Sequence, residues 1–221
     1  MNIHSFLLKM PLKMPMEAQE PKDKNSKYHR ILEAAVRIFA RQGFRQSTVS
    51  QIAREAGVAD GTIYLYFKNK DDILVHFFGF KAKQVFDRFR EAVARGADSL
   101  EKLRNLVRVH LGEFQRDPDM AIVYHVETHQ ISRLAEDQIR EMGKMYHDII
   151  SDIVEEGQQE GLIRRDIYLG LAKRFILGGV DETIGAWLHA GRSYDLISMA
   201  DPLTDLFIRG IGAPARLPDT I

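Results

Sequence analysis

Residues 48–74 read TVSQIAREAGVADGTIYLYFKNKDDIL, and two apolar-periodic segments this short, parted by Gly57, leave few foldable arrangements. Thr48 can cap the first segment while Gln51, three residues on, reaches back to the cap backbone. Ile52, Ala53 and Ala56 then share one face, and Gly57 ends the helix. The second segment is a short helix at about Asp60 to Tyr66, with Ile63 and Phe67 at i and i+4 as its anchors. Gly61, Thr62, Tyr64 and Tyr66 are left to face outward. This is the pattern of a helix-turn-helix, whose second helix enters the DNA major groove. Tyrosine hydroxyls there can donate to phosphate oxygens. The same two rings could instead pack against neighbouring helices.

The flanks agree with that reading. Upstream, Ile31, Ala34, Ala35, Ile38 and Phe39 follow i, i+3, i+4, i+7, i+8, so a helix is expected over Lys24–Gln42. Gly43 suits a left-handed position after it, and Phe44 falls where the accompanying apolar contact belongs. Downstream, Asn69 is a good N-cap and Lys70 lies in the first turn of the next helix. A cation there opposes the helix macrodipole. A bound phosphate would explain it, and a solvated surface lysine is the plainer reading.

A formal net charge of zero taken alone argues against a nucleic-acid partner, but the distribution argues for one. Ten basic and four acidic residues between 22 and 70 give that stretch +6, which leaves −6 for the remainder. A basic end beside an acidic body is a footprint confined to one end. There is no cysteine, hence no disulfide framework and no Cys-based zinc site. No apolar run approaches the roughly 18 residues a membrane helix needs, and the start MNIHSFLLKMPLKMPM lacks the basic region and apolar length of a signal peptide. A cytoplasmic protein with no membrane association is expected. Met10, Met14 and Met16 are alternative starts. Nothing resembles a nucleophile elbow, a phosphate-binding glycine loop or a dinucleotide fingerprint, so an enzyme is not expected, and no cofactor or metal either. The expected organisation is all-α: a tail at 1–23, a helix-turn-helix head at 24–70, a ligand-binding and dimerisation domain at 71–213, and a tail at 214–221.

Beyond the head, helices are expected near Lys70–Arg95, Ser99–Arg116, Pro118–Gln130, Leu134–Glu160, Asp166–Ala190 and Ile197–Ile211. In the last two, Gly178, Gly179, Gly185 and Ala186 would admit another helix closely, and Phe175, Ile184, Trp187, Leu188 and Leu206 supply apolar area. Two such helices from each subunit would make a four-helix interface. Internal core is the alternative. On the middle helices Phe77, Phe78, Val107, His110, Leu111, Phe114, Ile122, Val126, Met142, Met145, Tyr146 and Ile149 form apolar faces. They read either as ordinary core or as the wall of a cavity for a hydrophobic effector, for which methionine is well suited. His125 and His129 sit at i and i+4 and could share a divalent metal. A packed or solvated pair is the plainer reading.

The segment 48–74 resembles the DNA-binding signature of TetR-type transcriptional regulators: Gly61, Thr62, Ile63, Tyr64, Tyr66 and Phe67 match the family's Gly-Thr-aromatic-Tyr-x-Tyr-Phe pattern. Family members often carry serine where this chain has Ala59. By position, the resemblance implies DNA contacts at Thr48, Gly61, Thr62, Tyr64, Tyr66 and Lys70, and further ones at Arg45, Ser47 and Lys68. It also implies a homodimer, since a palindromic double-stranded operator demands two-fold symmetry. GVADGTIYLYFKNKDDIL, MAIVYHVETHQIS and VDETIGAW are similar to the FadR-type, fatty-acid-degradation branch. That implies a repressor released by long-chain acyl-CoA. Such an effector needs a long apolar tunnel and a basic mouth, for which Arg104, Arg108, Arg133, Arg140 and Lys144 are candidates.

Overall fold

The computed structural model describes residues 27–127 and 133–212, with the side chains of all but 126–127 and 133–138. The expected tails at 1–23 and 214–221, the turn beginning at Lys24, and His129 and Gln130 lie outside the described residues. Within them the chain is helical: α1 (Lys27–Gln42), α2 (Val49–Ala56), α3 (Asp60–Ile63), α4 (Lys70–Ala94), α5 (Ser99–Arg116), α6 (Pro118–Ile122), a π turn (Val123–Glu127), α7 (Arg133–Glu160), α8 (Leu169–His189), a 3-10 turn (Leu196–Met199) and α9 (Ala200–Ile211). The one β feature among them is an isolated antiparallel bridge between Ile163 and Gly212.

Local rules set the head. Ile31, Ala34, Ala35, Ile38 and Phe39 of α1 are buried against Ile52, Ala53, Ala56, Ile63 and Phe67. Gly43 takes φ 85°, its N–H donates to the Phe39 carbonyl at 2.9 Å, and the Phe44 ring closes on Phe39 with centroids 5.0 Å apart. Thr48 and Gln51 form both halves of a capping box. Gly57 takes φ 66°, and a Cβ there would come within 3.0 Å of the Arg30 guanidinium, which donates to the Ala56 carbonyl. The left-handed backbone is what calls for glycine here, while the arginine tip could shift slightly.

The body is built on two long helices. α4 buries Ile73, Leu74, Phe77, Phe78, Ala82, Val85, Phe86 and Phe89 against α5 and α7. α5 is central, touching α4, α6, α7, α8 and α9. Asp98 caps α5, and Asp117 caps α6 with Pro118 in its first turn.

Several boundaries depart from the sequence reading. α3 stops at Ile63, and residues 64–66 continue as a tighter turn, with the Tyr66 N–H on the Ile63 carbonyl at 3.0 Å. The helix expected over Pro118–Gln130 is α6 followed by the π turn, a widening that the residue pattern does not announce. α8 begins at Leu169, not Asp166, because the Arg164 N–H pairs with the Ile211 carbonyl and its guanidinium holds Asp166. The helix expected from Ile197 opens as a 3-10 turn. Pro202 has no N–H to extend the α ladder backwards, so α9 starts at Ala200.

Candidate functional site

α3 is too short to hold itself and is pinned from beneath. Ile63 and Phe67 are buried, and the Phe67 ring stacks on Tyr28 with centroids 5.2 Å apart and an interplanar angle of 23°. The α3 N-cap, Ala59, makes no side-chain cap bond. The next residue compensates: Asp60 accepts a short hydrogen bond from the Ser50 hydroxyl of α2. With its inner side fixed, the short helix turns Gly61 and Tyr64 to solvent, with Thr62 half-buried. Tyr64 is 59% exposed and Tyr66 41%. Tyr66 leans on Tyr28 at 6.2 Å, so Tyr64 stands the freer of the two. Both alternatives left open by the sequence are thus realised in part: outward hydroxyls, and one ring that also packs.

Around this surface Arg45, Thr48 and Lys68 are exposed. Two other expected contacts are engaged elsewhere. Ser47 is buried, and its hydroxyl donates to the Gly43 carbonyl at 2.6 Å. It closes the α1–α2 loop from inside. Lys70 turns its ammonium back across the head, donating to the carbonyls of Phe44 (2.8 Å), Arg45 (3.0 Å) and Ser47 (3.1 Å). The same ammonium lies 4.6 Å from the Phe44 ring centroid. Three donors meet three acceptors, so in this structure Lys70 is a brace for the loop that carries Arg45 and Thr48. The sequence could not give this, because it hides that α4 starts beside the α1–α2 loop. Charge is also partly neutralised: Glu55 takes Arg37 at 2.9 Å and Arg41 at 3.7 Å.

The head meets the body through a polar relay. The Tyr28 hydroxyl bonds His76 Nδ1 at 3.0 Å, His76 Nε2 lies 3.7 Å from Asp72, and Asp72 accepts the Lys68 N–H at 2.8 Å. α6 packs against α1 as well.

In the body, Phe77, Phe78, Val107, His110, Leu111, Phe114 and Tyr146 are buried, and Ile122, Met142, Met145 and Ile149 half-buried. The side chain of Val126 lies outside the described residues. Phe78, His110, Phe114 and Tyr146 come together around Tyr124 and His125 of the π turn, with adjoining ring centroids 4.8–6.4 Å apart. This aromatic shell holds polar groups. His110 Nδ1 bonds the Tyr146 hydroxyl at 2.9 Å. His125 Nε2 and Asp181 Oδ1 are buried with no partner among the described residues. Burial, then His125, pushes His110 down to about 3, and burial pushes His125 down to about 4. Burial also pushes the Asp181 carboxyl up to about 6, and it raises Tyr124 and Tyr146, with Asp181 adding to both. From sequence, His110 and Tyr146 fall on apolar faces and His125 in a possible metal pair, and nothing joins them. Asp181 inside the apolar run FILGGVDETIGAW is a signal left unused.

Arg104 and Arg108 do not form a free basic mouth. Arg104 pairs with Asp205 at 3.2 Å and Arg108 with Asp201 at 2.6 Å, stitching α5 to α9. Arg140 and Lys144 are exposed on α7, and the side chain of Arg133 lies outside the described residues. The His125 ring faces Phe114 and Tyr124.

The expected interface residues divide in two. Phe175 (46%) and Leu206 (65%) are exposed, and Gly178 lies open on α8. Ile184 and Trp187 are buried within their own chain, with Trp187 Nε1 donating to the Tyr194 carbonyl at 2.9 Å. A Cβ on Gly179 would come within 2.8 Å of the Phe207 ring, so this glycine serves α8–α9 packing inside the subunit. Leu188 is half-buried against the core. Helical spacing marked an apolar α8 but not which residues α9 already covers. Tyr168 and Leu171, exposed beside Phe175, were not anticipated.

Comparison with known proteins bears on both halves. Residues 31–77 match the family described as bacterial regulatory proteins, tetR family. Residues 78–210 match the C-terminal region of YsiA-like protein. The chain is 40% identical over 190 residues to the fatty acid metabolism regulator protein of Bacillus subtilis (strain 168), an alignment spanning 86% of this chain and 98% of that one. It resembles the crystal structure of FadR from Bacillus subtilis in complex with stearoyl-CoA, with a TM-score of 0.78, 39% identity, and 83% and 99% of the two chains covered. For the fatty acid degradation regulator FadR from Bacillus halodurans the TM-score is 0.80 at 36% identity, covering 86% and 98%.

Proposed function

The chain belongs to the TetR family of bacterial regulatory proteins, and from that membership we propose that it is a transcriptional repressor of fatty acid degradation genes, released from its operator by long-chain acyl-CoA. The observation that carries DNA binding is the pinned α3, which turns Tyr64 outward at 59% exposure while Ile63 and Phe67 hold it to the core. The effector reading is supported by the 40% identity to a fatty acid metabolism regulator over nearly its whole length and by the likeness to a FadR bound to stearoyl-CoA. The chain works by binding, in the cytoplasm, and not by catalysis. No described helix is long and apolar enough to cross a membrane.

Residues 24–70 form the DNA-binding head, and residues 71–213 form the effector and dimerisation domain. Two chains pair through α8 and α9, using Phe175, Gly178 and Leu206. Their α3 helices enter successive major grooves about 34 Å apart on a palindromic operator. Tyr64, Tyr66, Thr62, Gly61, Thr48, Arg45 and Lys68 face the duplex. α4 carries Phe77 and Phe78 in the body and Lys70 in the head, so an effector that shifts α4 moves the heads apart. The shift extends only as far as the ligand's differential affinity for the two states.

The test is fluorescence anisotropy on a labelled operator, titrated with acyl-CoAs of increasing chain length. Long-chain acyl-CoA releases the DNA at micromolar concentration or below, on the order of −8 kcal/mol of binding. Equal potency of free CoA or short acyl-CoA would refute the effector assignment. Failure of the dimer to bind any such promoter DNA would refute the repressor.

A further inference from the structure

Leu65 stands 80% exposed, the greatest exposure of any large apolar side chain among the described residues. A solitary exposed leucine is common on protein surfaces, but this one is held out. It lies between buried Ile63 and Phe67, and the turn that carries it is closed on both sides. The Leu65 N–H donates to the Thr62 carbonyl at 3.3 Å, and the Tyr66 and Phe67 N–H groups donate to the Ile63 carbonyl at 3.0 and 2.9 Å. Apart from Tyr64 and Tyr66 beside it, the exposed large apolar side chains among the described residues all lie at Tyr168 or beyond. Pairing through α8 and α9 therefore does not account for Leu65.

A second observation lies one turn before it. Gly61 is exposed, takes no positive φ, and a Cβ built there would meet nothing within 4 Å. Neither conformation nor crowding inside the chain asks for glycine, and glycine weakens a helix relative to alanine. A bare backbone at 61 and a projecting leucine at 65 suit a partner that comes close at one and offers a small apolar feature at the other. Exposed Tyr64 and Lys68 accompany them, and residues 22–70 carry +6, which suits a polyanion rather than an apolar protein face. The major groove of DNA has one apolar feature, the C5-methyl group of thymine. Every other mark on its base edges is a hydrogen-bond donor or acceptor. A leucine side chain has neither, so the methyl is the one mark it can read. We propose that Leu65 packs on the C5-methyl of one thymine in each half of the operator and thereby selects sequence, while Tyr64, Tyr66 and Lys68 position the head on phosphates. This rests on the repressor reading above and adds a residue that chooses among duplexes.

For the experiment, an operator is selected from a random duplex library with the full-length protein. Each thymine in it is then replaced in turn by deoxyuridine, which lacks only the methyl, and affinity is read by fluorescence anisotropy. In the wild type, replacing the thymine under Leu65 in one half-site weakens binding by about fourfold, the scale of one methyl group taken out of water. In Leu65→Ala that ratio falls towards one. Leu65→Val, shorter by one carbon, gives an intermediate ratio and keeps the comparison measurable if Leu65→Ala binds too weakly. Thermal melts of both variants match the wild type, as expected for a side chain this exposed. A clear drop in melting temperature would show that Leu65 serves the fold and would overturn the proposal. A wild type indifferent to every deoxyuridine overturns it and leaves the repressor reading intact, as does an undiminished ratio in the variants. If the selection recovers no duplex, the repressor reading falls and the thymine contact falls with it.

Discussion

The head and the body solve opposite problems with the same residue types. In the head, polar side chains lie outside an apolar centre or brace the backbone around it: Tyr64 points to solvent, Ser47 ties a loop, and Lys70 spends its ammonium on three carbonyls. In the body, polar side chains are taken inside: His110 and Tyr146 are buried as a pair, and His125 Nε2 and Asp181 Oδ1 are buried unpaired. A surface that reads phosphate and base edges needs outward donors on a rigid support. An interior that must open for a ligand can hold polar atoms whose partner arrives with it. The head's anchors thus carry no buried unpaired polar atom among those named, while the body holds His125 Nε2 and Asp181 Oδ1.

The largest test attacks the head's anchor. Phe67→Ala removes a ring that is 2% exposed and stacked on Tyr28, and costs about 3–5 kcal/mol. Operator binding is lost, while the far-ultraviolet helical signal of the body persists. Retention of full operator affinity would mean that α3 does not depend on this anchor.

Asp181→Asn tests the body's cost. A carboxyl whose folded value is raised to about 6, above its ordinary 3.8, penalises the folded state once it is ionised. The penalty is full above pH 6, fades as pH falls towards 4, and is roughly 3 kcal/mol at its greatest. Urea unfolding is expected to find the variant more stable than wild type at pH 8, with the gap closing by pH 4. The histidines act with the opposite sign. His110 and His125 are held near 3 and 4 when folded, so their contribution is present above pH 6.5 and is lost as pH falls through 6.5 towards those values. A constant gap between pH 8 and pH 4 would show that Asp181 is not the group responsible.

Lys70→Met comes next and distinguishes the brace from a phosphate contact. It removes three charge-assisted bonds to the 44–47 loop and lowers head stability by about 2 kcal/mol. Operator affinity falls with it, yet the slope of log affinity against log salt keeps its value. A phosphate-bound lysine would lower that slope by about 1 per subunit.

What the sequence disclosed follows the same division. The head was legible almost residue by residue because its determinants are local. A capping box spans four residues, the Gly43 and Gly57 caps are set by their own φ values, and the Ile63–Phe67 anchor is one helical turn. The intramolecular bonds of Lys70 were not legible, because they join residues 23 to 26 positions apart, and Ser47 turns its hydroxyl back to Gly43 within its own loop. In the body, periodicity identified apolar faces but not their occupants. Arg104 and Arg108 read as mouth candidates from sequence, which could not show that α9 brings Asp201 and Asp205 opposite them. Ile184 and Trp187 looked like an interface until α8's inner face proved to be theirs. The buried polar group draws on four elements scattered between residues 110 and 181, so no window of sequence contains it.

The smallest expected effect is also the sharpest on the head's outer surface. Tyr64→Phe removes one hydroxyl from a ring that is 59% exposed and stacks on no other aromatic ring among the described residues. Stability should stay within about 0.5 kcal/mol of wild type, as for ordinary surface changes, while operator affinity falls about five- to tenfold, the scale of one solvent-accessible hydrogen bond. Tyr66→Phe keeps the ring that leans on Tyr28 and should lose less, because part of that side chain's duty is packing. A drop in stability for Tyr64→Phe, or equal operator affinity in both variants and wild type, would remove the outward tyrosines from the DNA surface and leave α3's polar face without a partner.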